Sequence, residues 1–133
     1  MSITIDGGAG ITFPDTVQQT NGMTMTGGNP LYYAARAWVS FNGNNGAIFA
    51  QANIASVSRT STGRYTVTIA TDMPDANYVI IATAGMASAG VQYYNARINS
   101  TPSAGSFTLA VLGQSSGSPA YIDADFVHVV IFR

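Results

Sequence analysis

The sequence predicts an all-β protein, on three observations. Short runs rich in Thr, Val, Ile, Tyr and Phe recur at about ten-residue spacing, separated by turns containing Gly, Asn, Ser and Pro. The clearest run, Arg64–Ile69, alternates apolar and polar residues with period two, which is typical of a half-buried strand. No window carries the apolar stripe of a helix, and the helix formers Lys and Glu do not occur. Seven or eight such runs suggest a β-sandwich or a small barrel, and the fold we expect is an antiparallel β-sandwich.

The individual runs differ in how well they fit a strand with one buried face. Residues Asn77–Thr83 are apolar at successive positions, which favours a central strand covered on both sides. Trp38 lies in the run Ala37–Phe41, and its large ring favours a place in the core. Tyr93 and Tyr94 are adjacent, so only one of them can point inward from a strand. The other expected strands cover residues 47–50, 54–60, 91–99, 106–112 and 126–132.

The first 30 residues differ in composition from the rest. They contain repeated Gly and too few large apolar residues to form a core alone. We therefore expect an extended N-terminal arm over residues 1–30 and a β-sandwich head over residues 31–133. The start lacks the basic and then apolar pattern of a secretory signal, so none is expected. No run approaches the ~18 apolar residues of a membrane-spanning helix.

Composition narrows the function classes. Charged residues make up 8% of the 133-residue chain, all of them Arg or Asp, against about 25% in an average soluble domain. A net charge of −1 offers no basic surface for nucleic-acid phosphates. Without Cys there is no disulfide, thiol nucleophile or Cys-ligated zinc, and we expect no cofactor. Stability must come from a packed core or from association between chains.

Two segments carry a resemblance to bacteriophage tail-fibre proteins. Residues 10–20, GITFPDTVQQT, resemble the G-I-x-F-P-D-G-T-x-Q-T segment found near the distal ends of phage fibres, with Thr16 in place of the glycine. Residues 36–43, RAWVSFNG, with GRYTVTI at 63–69 and MPDANY at 73–78, are similar to a pattern in the C-terminal domains of phage fibre and virion structural proteins.

The resemblance implies a homotrimeric virion fibre with an N-terminal stalk and a β-rich head that contacts the host. Implied partners are two further copies of the chain, other virion proteins through the arm, and a host polysaccharide or outer-membrane component. The protein would be made in the host cytoplasm and released on lysis as part of the virion.

The arm offers a candidate trimer interface at Ile11, Phe13 and Pro14. Ile11 and Phe13 point to the same side of an extended chain, so three copies of each can be buried together. Such burial contributes roughly 1.5–3 kcal/mol per large side chain. The alternative is an arm that packs against its own head or frays.

Residues that could carry catalysis are few. His128, the only His, lies in the apolar run Phe126–Phe132, which favours a hydrogen-bonded structural role. A sharper alternative places three His128 side chains on a trimer axis, where they would bind a metal or an anion. A Ser–His–Asp hydrolase needs an oriented and accessible His, which this setting does not favour. We therefore expect no enzymatic activity.

The carboxylates have structural explanations as well as chemical ones. Asp123 and Asp125 flank Ala124 and would share one face of a strand, where paired carboxylates can serve acid–base catalysis or bind calcium. We expect instead a solvated strand end or an ion pair, with Arg97 or Arg133 as the partner. Asp72 and Asp75 bracket Met73-Pro74, which is typical of a turn.

Aromatic and amide side chains in the head are candidates for receptor binding. Glycan sites combine flat aromatic faces with a few hydrogen-bonding groups. The alternative is that the tyrosines pack between protomers and the Asn-rich loop is only a turn. The candidate receptor-binding residues are Asn42, Asn44, Asn45, Tyr93, Tyr94, Asn95, Arg97 and Tyr121.

The function expected from the sequence is therefore adhesion by a phage tail-fibre tip. The alternatives are a capsid-attached fibre or decoration protein without a receptor, a glycan-cleaving enzyme, and a monomeric lectin. The absence of Glu and the apolar setting of the only His count against the enzyme.

Overall fold

The computed structural model describes residues 34–87, 93–114 and 117–133, and the backbone of four short strands before them. These four, β1 (Thr4–Asp6), β2 (Gly10–Thr12), β3 (Val17–Gln19) and β4 (Met23–Met25), pair antiparallel in that order. The chain divides into two compact units, Met1–Ala34 and Ala35–Arg133. The extended arm stays a prediction, and Phe13 and Pro14 of its expected interface lie outside the described residues.

The second unit contains two antiparallel sheets. The β5 sheet contains, in spatial order, β6 (Ile48–Ala52), β5 (Ala35–Phe41), β13 (Phe126–Phe132) and β9 (Val79–Gly85). The β8 sheet contains β10 (Tyr93–Ile98), β11 (Ser106–Gln114), β8 (Arg64–Ile69) and β7 (Ile54–Ser61), and the short β12 (Ala120–Tyr121) also pairs with β11. The described residues contain no helix, which confirms the all-β class and provides no candidate for a membrane-spanning helix.

Both sheets contribute to one hydrophobic core. Every second side chain of each central strand is buried, as period two requires. Phe41 of the β5 sheet and Tyr65 of the β8 sheet meet edge to face, with ring centroids 5.2 Å apart. The buried positions on the central strands are Ala37, Val39, Phe41, Tyr65, Val67, Ile69, Phe107, Leu109, Val111, Val127, Val129 and Ile131.

Two expectations about the β5 sheet are wrong. Trp38 is not in the core but points outward and is 39% exposed, because the inward positions of β5 are those of Ala37, Val39 and Phe41. The run Asn77–Thr83 does not form a central strand. The strand that it contributes to, β9, begins at Val79 and lies at the edge of the sheet. The apolar outer face of β9 is not covered by other residues of the single chain.

The turn between β7 and β8 depends on Gly63. Its φ of +63° lies in the left-handed region that disfavours side chains. A Cβ there would lie 2.5 Å from the carbonyl oxygen of Val111 and 2.7 Å from the amide nitrogen of Ile122. The backbone of Gly63 also donates to Asp123 Oδ1 at 2.8 Å and accepts from the Val111 amide at 2.7 Å. Glycine is therefore required at position 63 both by conformation and by space.

We expect Gly63→Ala to lower the free energy of unfolding by about 1–3 kcal/mol, since the alanine is strained at this φ and has no room for its Cβ. Gly85→Ala is the matched control, because no atom lies within 4 Å of its Cβ position. Urea unfolding followed by circular dichroism measures both. Equal effects of the two substitutions would contradict this account of the turn.

Candidate functional site

The outward face of the β8 sheet gathers several of the candidate receptor-binding residues. Tyr93, Asn95 and Arg97 all point outward from β10, as alternate residues of one strand must. Their cross-strand partners on β11 are Gln114, Leu112 and Ala110 in the same order. On the far side of β11, Leu112 pairs with Tyr121 and Ala110 pairs with Arg64. Tyr93, Asn95, Arg97 and Tyr121, which are distant in sequence, thus share one surface.

Tyr121 lies between two arginines on this surface. The Arg64 guanidinium carbon is 4.2 Å from the centroid of the Tyr121 ring, a cation–π contact. Interaction with the Arg97 guanidinium is the main cause that lowers the pKa of Tyr121, and Arg64 acts in the same direction. Arg64 was not predicted as a site residue, although its alternation with Thr66 and Thr68 places it on the polar side of β8.

The two adjacent tyrosines of β10 point in opposite directions, as predicted. Tyr93 is exposed, and its hydroxyl donates to Oε1 of Gln114. Tyr94 points inward and packs against the core, and burial raises its pKa. Its hydroxyl is buried and has no hydrogen-bond partner among the described residues. Tyr94 therefore does not share the outward surface with the other candidates.

The asparagines of the loop between β5 and β6 make local hydrogen bonds. Asn42 Oδ1 accepts from the Asn44 amide at 2.8 Å, and Asn45 Oδ1 accepts from the Ala47 amide at 2.9 Å. Both are side-chain bonds to the backbone two residues on, typical of Asx turns. Asn44 Nδ2 donates to Asp125 at 3.1 Å. Each side chain has a structural partner, and their role in receptor binding stays a prediction.

The outward face of the β5 sheet is apolar, and we call it the apolar face. Its exposed members are Trp38 on β5, Phe126 on β13, and Val79 and Ile81 on β9. The register places Val130 between Trp38 and Ile81, so these side chains adjoin. Phe49 extends the face on β6, where a register shift opposite Ser40 and Phe41 leaves it as an extra residue, and its ring centroid is 6.0 Å from that of Phe126.

His128 lies within the apolar face and not in the core. It is exposed, and its cross-strand neighbours are Ser40 and Thr83. The buried side of β13 is formed by Val127, Val129 and Ile131. The meeting of three His128 side chains on a trimer axis stays a prediction. In the part of the chain that the structure describes, no three His or Asp residues are grouped to hold a metal ion.

Asp123 holds together the turn of the β8 sheet and the segment that leads into β13. Its carboxylate accepts from Arg59 Nη2 at 2.6 Å and Nε at 3.0 Å, from the Gly63 amide at 2.8 Å, and from the Tyr65 hydroxyl at 3.1 Å. The predicted ion-pair partners, Arg97 and Arg133, are wrong for this residue. The partner is Arg59, and the structure places Arg133 against Asp75.

The two carboxylates proposed as a pair have separate partners. Asp123 and Asp125 lie outside a strand, between β12 and β13, so the expectation of a shared strand face is wrong. Asp125 accepts from Asn44 and from the amide of Ala87 at 2.9 Å. Asp75 accepts from the amide of Asn77 at 2.7 Å, which confirms the predicted turn role.

The contribution of the Asp123 network is tested by replacing Asp123 and measuring the free energy of unfolding as a function of pH. Burial opposes ionisation of Asp123, but the bonds from Arg59, Gly63 and Tyr65 outweigh it and lower its pKa. The stabilisation is therefore present above the ordinary pKa of Asp and is lost as pH falls through the lower folded-state pKa. We expect Asp123→Asn to cost about 1–3 kcal/mol at pH 7, with the difference from the unmodified protein shrinking at acid pH.

Urea unfolding between pH 7 and pH 2 measures both curves. Asp72→Asn is the control, because Asp72 is an exposed carboxylate that lies outside the network of Arg59, Gly63, Tyr65 and Asp123. Parallel pH curves for Asp123→Asn and the unmodified chain would show that the network does not stabilise the fold.

Comparisons with known proteins give no match for this chain: no protein-family model, no curated protein and no solved structure matches it.

Proposed function

We propose that this chain is a structural protein of a bacteriophage tail fibre. In this proposal it forms a homotrimeric β-sandwich head, and the N-terminal arm contributes Ile11, Phe13 and Pro14 to the trimer and attaches it to other virion proteins. The head binds a glycan or outer-membrane component on the host. The phage assignment is supported by the motifs at residues 10–20 and 36–78.

The observation that carries the proposal is the apolar face. A large aromatic side chain presents about 150–250 Å² when fully exposed. Trp38, Phe49 and Phe126 are 39%, 53% and 41% exposed, so together they present roughly 200–300 Å² of solvent-accessible surface. Val79 and Ile81, at 60% and 55%, enlarge the patch to the size that marks interaction surfaces.

The best occupant of this face is another copy of the same chain. A stable interface buries roughly 800 Å² per partner, with an apolar centre and a polar rim. The apolar face supplies apolar contacts, and Ser40, His128 and Thr83 form one polar row across it, between the row of Trp38, Val130 and Ile81 and the ring of Phe126. Self-association would also bury the apolar surface that a chain with 8% charged residues cannot keep soluble by charge alone.

The binding part of the proposal is supported by the outward face of the β8 sheet. There the exposed aromatic rings of Tyr93 and Tyr121 lie beside Asn95, Arg97 and Arg64, a combination suited to sugars. Three copies of a weak site per trimer, and several trimers per virion, would give avidity without tight single contacts. A capsid-attached fibre or decoration protein is the alternative, since it would use the apolar face for assembly and leave the β8 sheet unoccupied.

Assembly is tested by the mass in solution. We expect light scattering to give three times the 13.8 kDa chain mass. Ile81→Asn should shift this mass toward the monomer without unfolding the chain, because Ile81 points outward and each trimer loses its contact three times, at about 1 kcal/mol or more each. Ser56→Asn, on the exposed side of β7, is the matched control. A monomeric unmodified protein, or an Ile81→Asn variant that stays as trimeric as the control, would contradict the proposal.

Adhesion is tested with fluorescently labelled protein on a panel of bacterial strains. We expect the trimer to bind a subset of strains, and monomeric Ile81→Asn to bind them about 100-fold more weakly because avidity is lost. Binding to no strain by a protein that is trimeric would favour the decoration protein. Shortening of host polysaccharide on incubation would instead indicate the glycan-cleaving enzyme.

A further inference from the structure

The three arginines of the β8 sheet, Arg59, Arg64 and Arg97, differ from one another in their charge balance. Arg59 pairs with Asp123 and Arg133 with Asp75. No acidic group among the described residues pairs with Arg64 or Arg97. Two uncompensated positive charges therefore lie on one face of a protein whose net charge is −1.

The sheet register brings these two charges together. Arg97 and Arg64 are the two cross-strand neighbours of Ala110, one on each side of β11. Two strand spacings separate their Cα atoms by about 10 Å, a gap that two long side chains can close. Ala110 is 0% exposed although it points outward and is not part of the core cluster. The neighbouring side chains must therefore cover Ala110. Tyr121 pairs with Leu112, two residues further along β11, and its ring contacts Arg64.

The cluster has the features of a preorganised anion site. The Arg64 guanidinium carbon lies over the Tyr121 ring, and this contact limits the freedom of the Arg64 side chain before any ligand arrives. A phenol whose pKa is lowered by two neighbouring guanidinium groups reports a positive local potential. Planar guanidinium groups recognise carboxylate and phosphate oxygens through paired hydrogen bonds. Two arginines are too few for the extended phosphate contacts of a nucleic acid.

Beside the cluster lie groups suited to a sugar ring. Asn95 and Tyr93 continue along β10 on the same face, and Gln114 is paired with Tyr93. An aromatic ring with adjacent amides provides apolar contact for one sugar face and partners for its hydroxyls. A ligand that spans both parts carries an anionic group and neutral hydroxyls.

From this geometry we propose that Arg64, Arg97 and Tyr121 bind the anionic group of an acidic saccharide, a carboxylate or a phosphate, with Tyr93 and Asn95 contacting its ring. The inference rests on the proposed adhesive function and names the class of ligand that the head recognises. The competing explanation is a purely structural Arg–Tyr contact that covers Ala110.

The test is an NMR titration of the full chain with sodium galacturonate and with glucose 6-phosphate, which separate a carboxylate from a phosphate ligand. Neutral galactose and glucose are the controls, and sodium sulfate at equal ionic strength tests for binding of any anion. We expect saturable shifts of the Arg64, Arg97 and Tyr121 signals with at least one acidic sugar. The neutral sugars should bind at least about tenfold more weakly, since they lack the charged hydrogen bonds.

Substitution completes the test. Arg97→Gln and Arg64→Gln should each weaken binding of the acidic sugar about tenfold or more, with circular dichroism unchanged. Arg36→Gln is the matched control, because Arg36 is exposed on the other sheet. The proposal is overturned if neither acidic sugar shifts these signals, if sulfate shifts them equally, or if all three variants bind alike.

The outcomes separate this inference from the proposed function. Adsorption to bacteria that survives both Arg97→Gln and Arg64→Gln would overturn the acidic-saccharide site and leave adhesion standing. Saturable binding of galacturonate by a protein that adsorbs to no strain would support the site and count against the fibre function.

Discussion

Each strand in a pair of facing sheets has one inward and one outward side, and this constraint governs the rest of the molecule. A chain that is 47% hydrophobic and 8% charged holds more apolar side chains than the inward sides can accept. The β8 sheet keeps Thr, Asn and Arg on its outer side, whereas the β5 sheet carries the surplus. The single chain is therefore asymmetric, with an apolar outer face on the β5 sheet and a largely polar one on the β8 sheet.

Two of the polar connections that hold this arrangement join residues distant in sequence. Asp123 links the turn at Gly63, the Tyr65 hydroxyl in the core and Arg59 at the end of β7. Asn53 plays a similar part where the chain passes from β6 to β7, since its amide group bonds to the backbone of Arg36 and Thr71.

Strand positions and alternation could be predicted from the sequence, but the direction of each face could not. Alternation separates Tyr93 from Tyr94 and Trp38 from Phe41, yet local sequence does not tell which side meets the other sheet. Because apolar residues usually lie inside, the sequence predicts an interior position for Trp38 and for both faces of Asn77–Thr83. In the structure Trp38, Val79 and Ile81 are exposed, whereas Ile80 and Ala82 pack against the core. The partner of Asp123 and the position of Arg64 beside Tyr121 depend on strand order, which the sequence does not encode locally.

The central claim is that copies of the chain meet through the apolar face, and Trp38 reports on it directly as the only tryptophan. Acrylamide quenching of its fluorescence, measured across a dilution series with the mass recorded in parallel, follows this face alone. The account predicts a protected, blue-shifted Trp38 in the trimer that becomes accessible as the trimer dissociates. A Trp38 that is as accessible in the oligomer as in the monomer would contradict it.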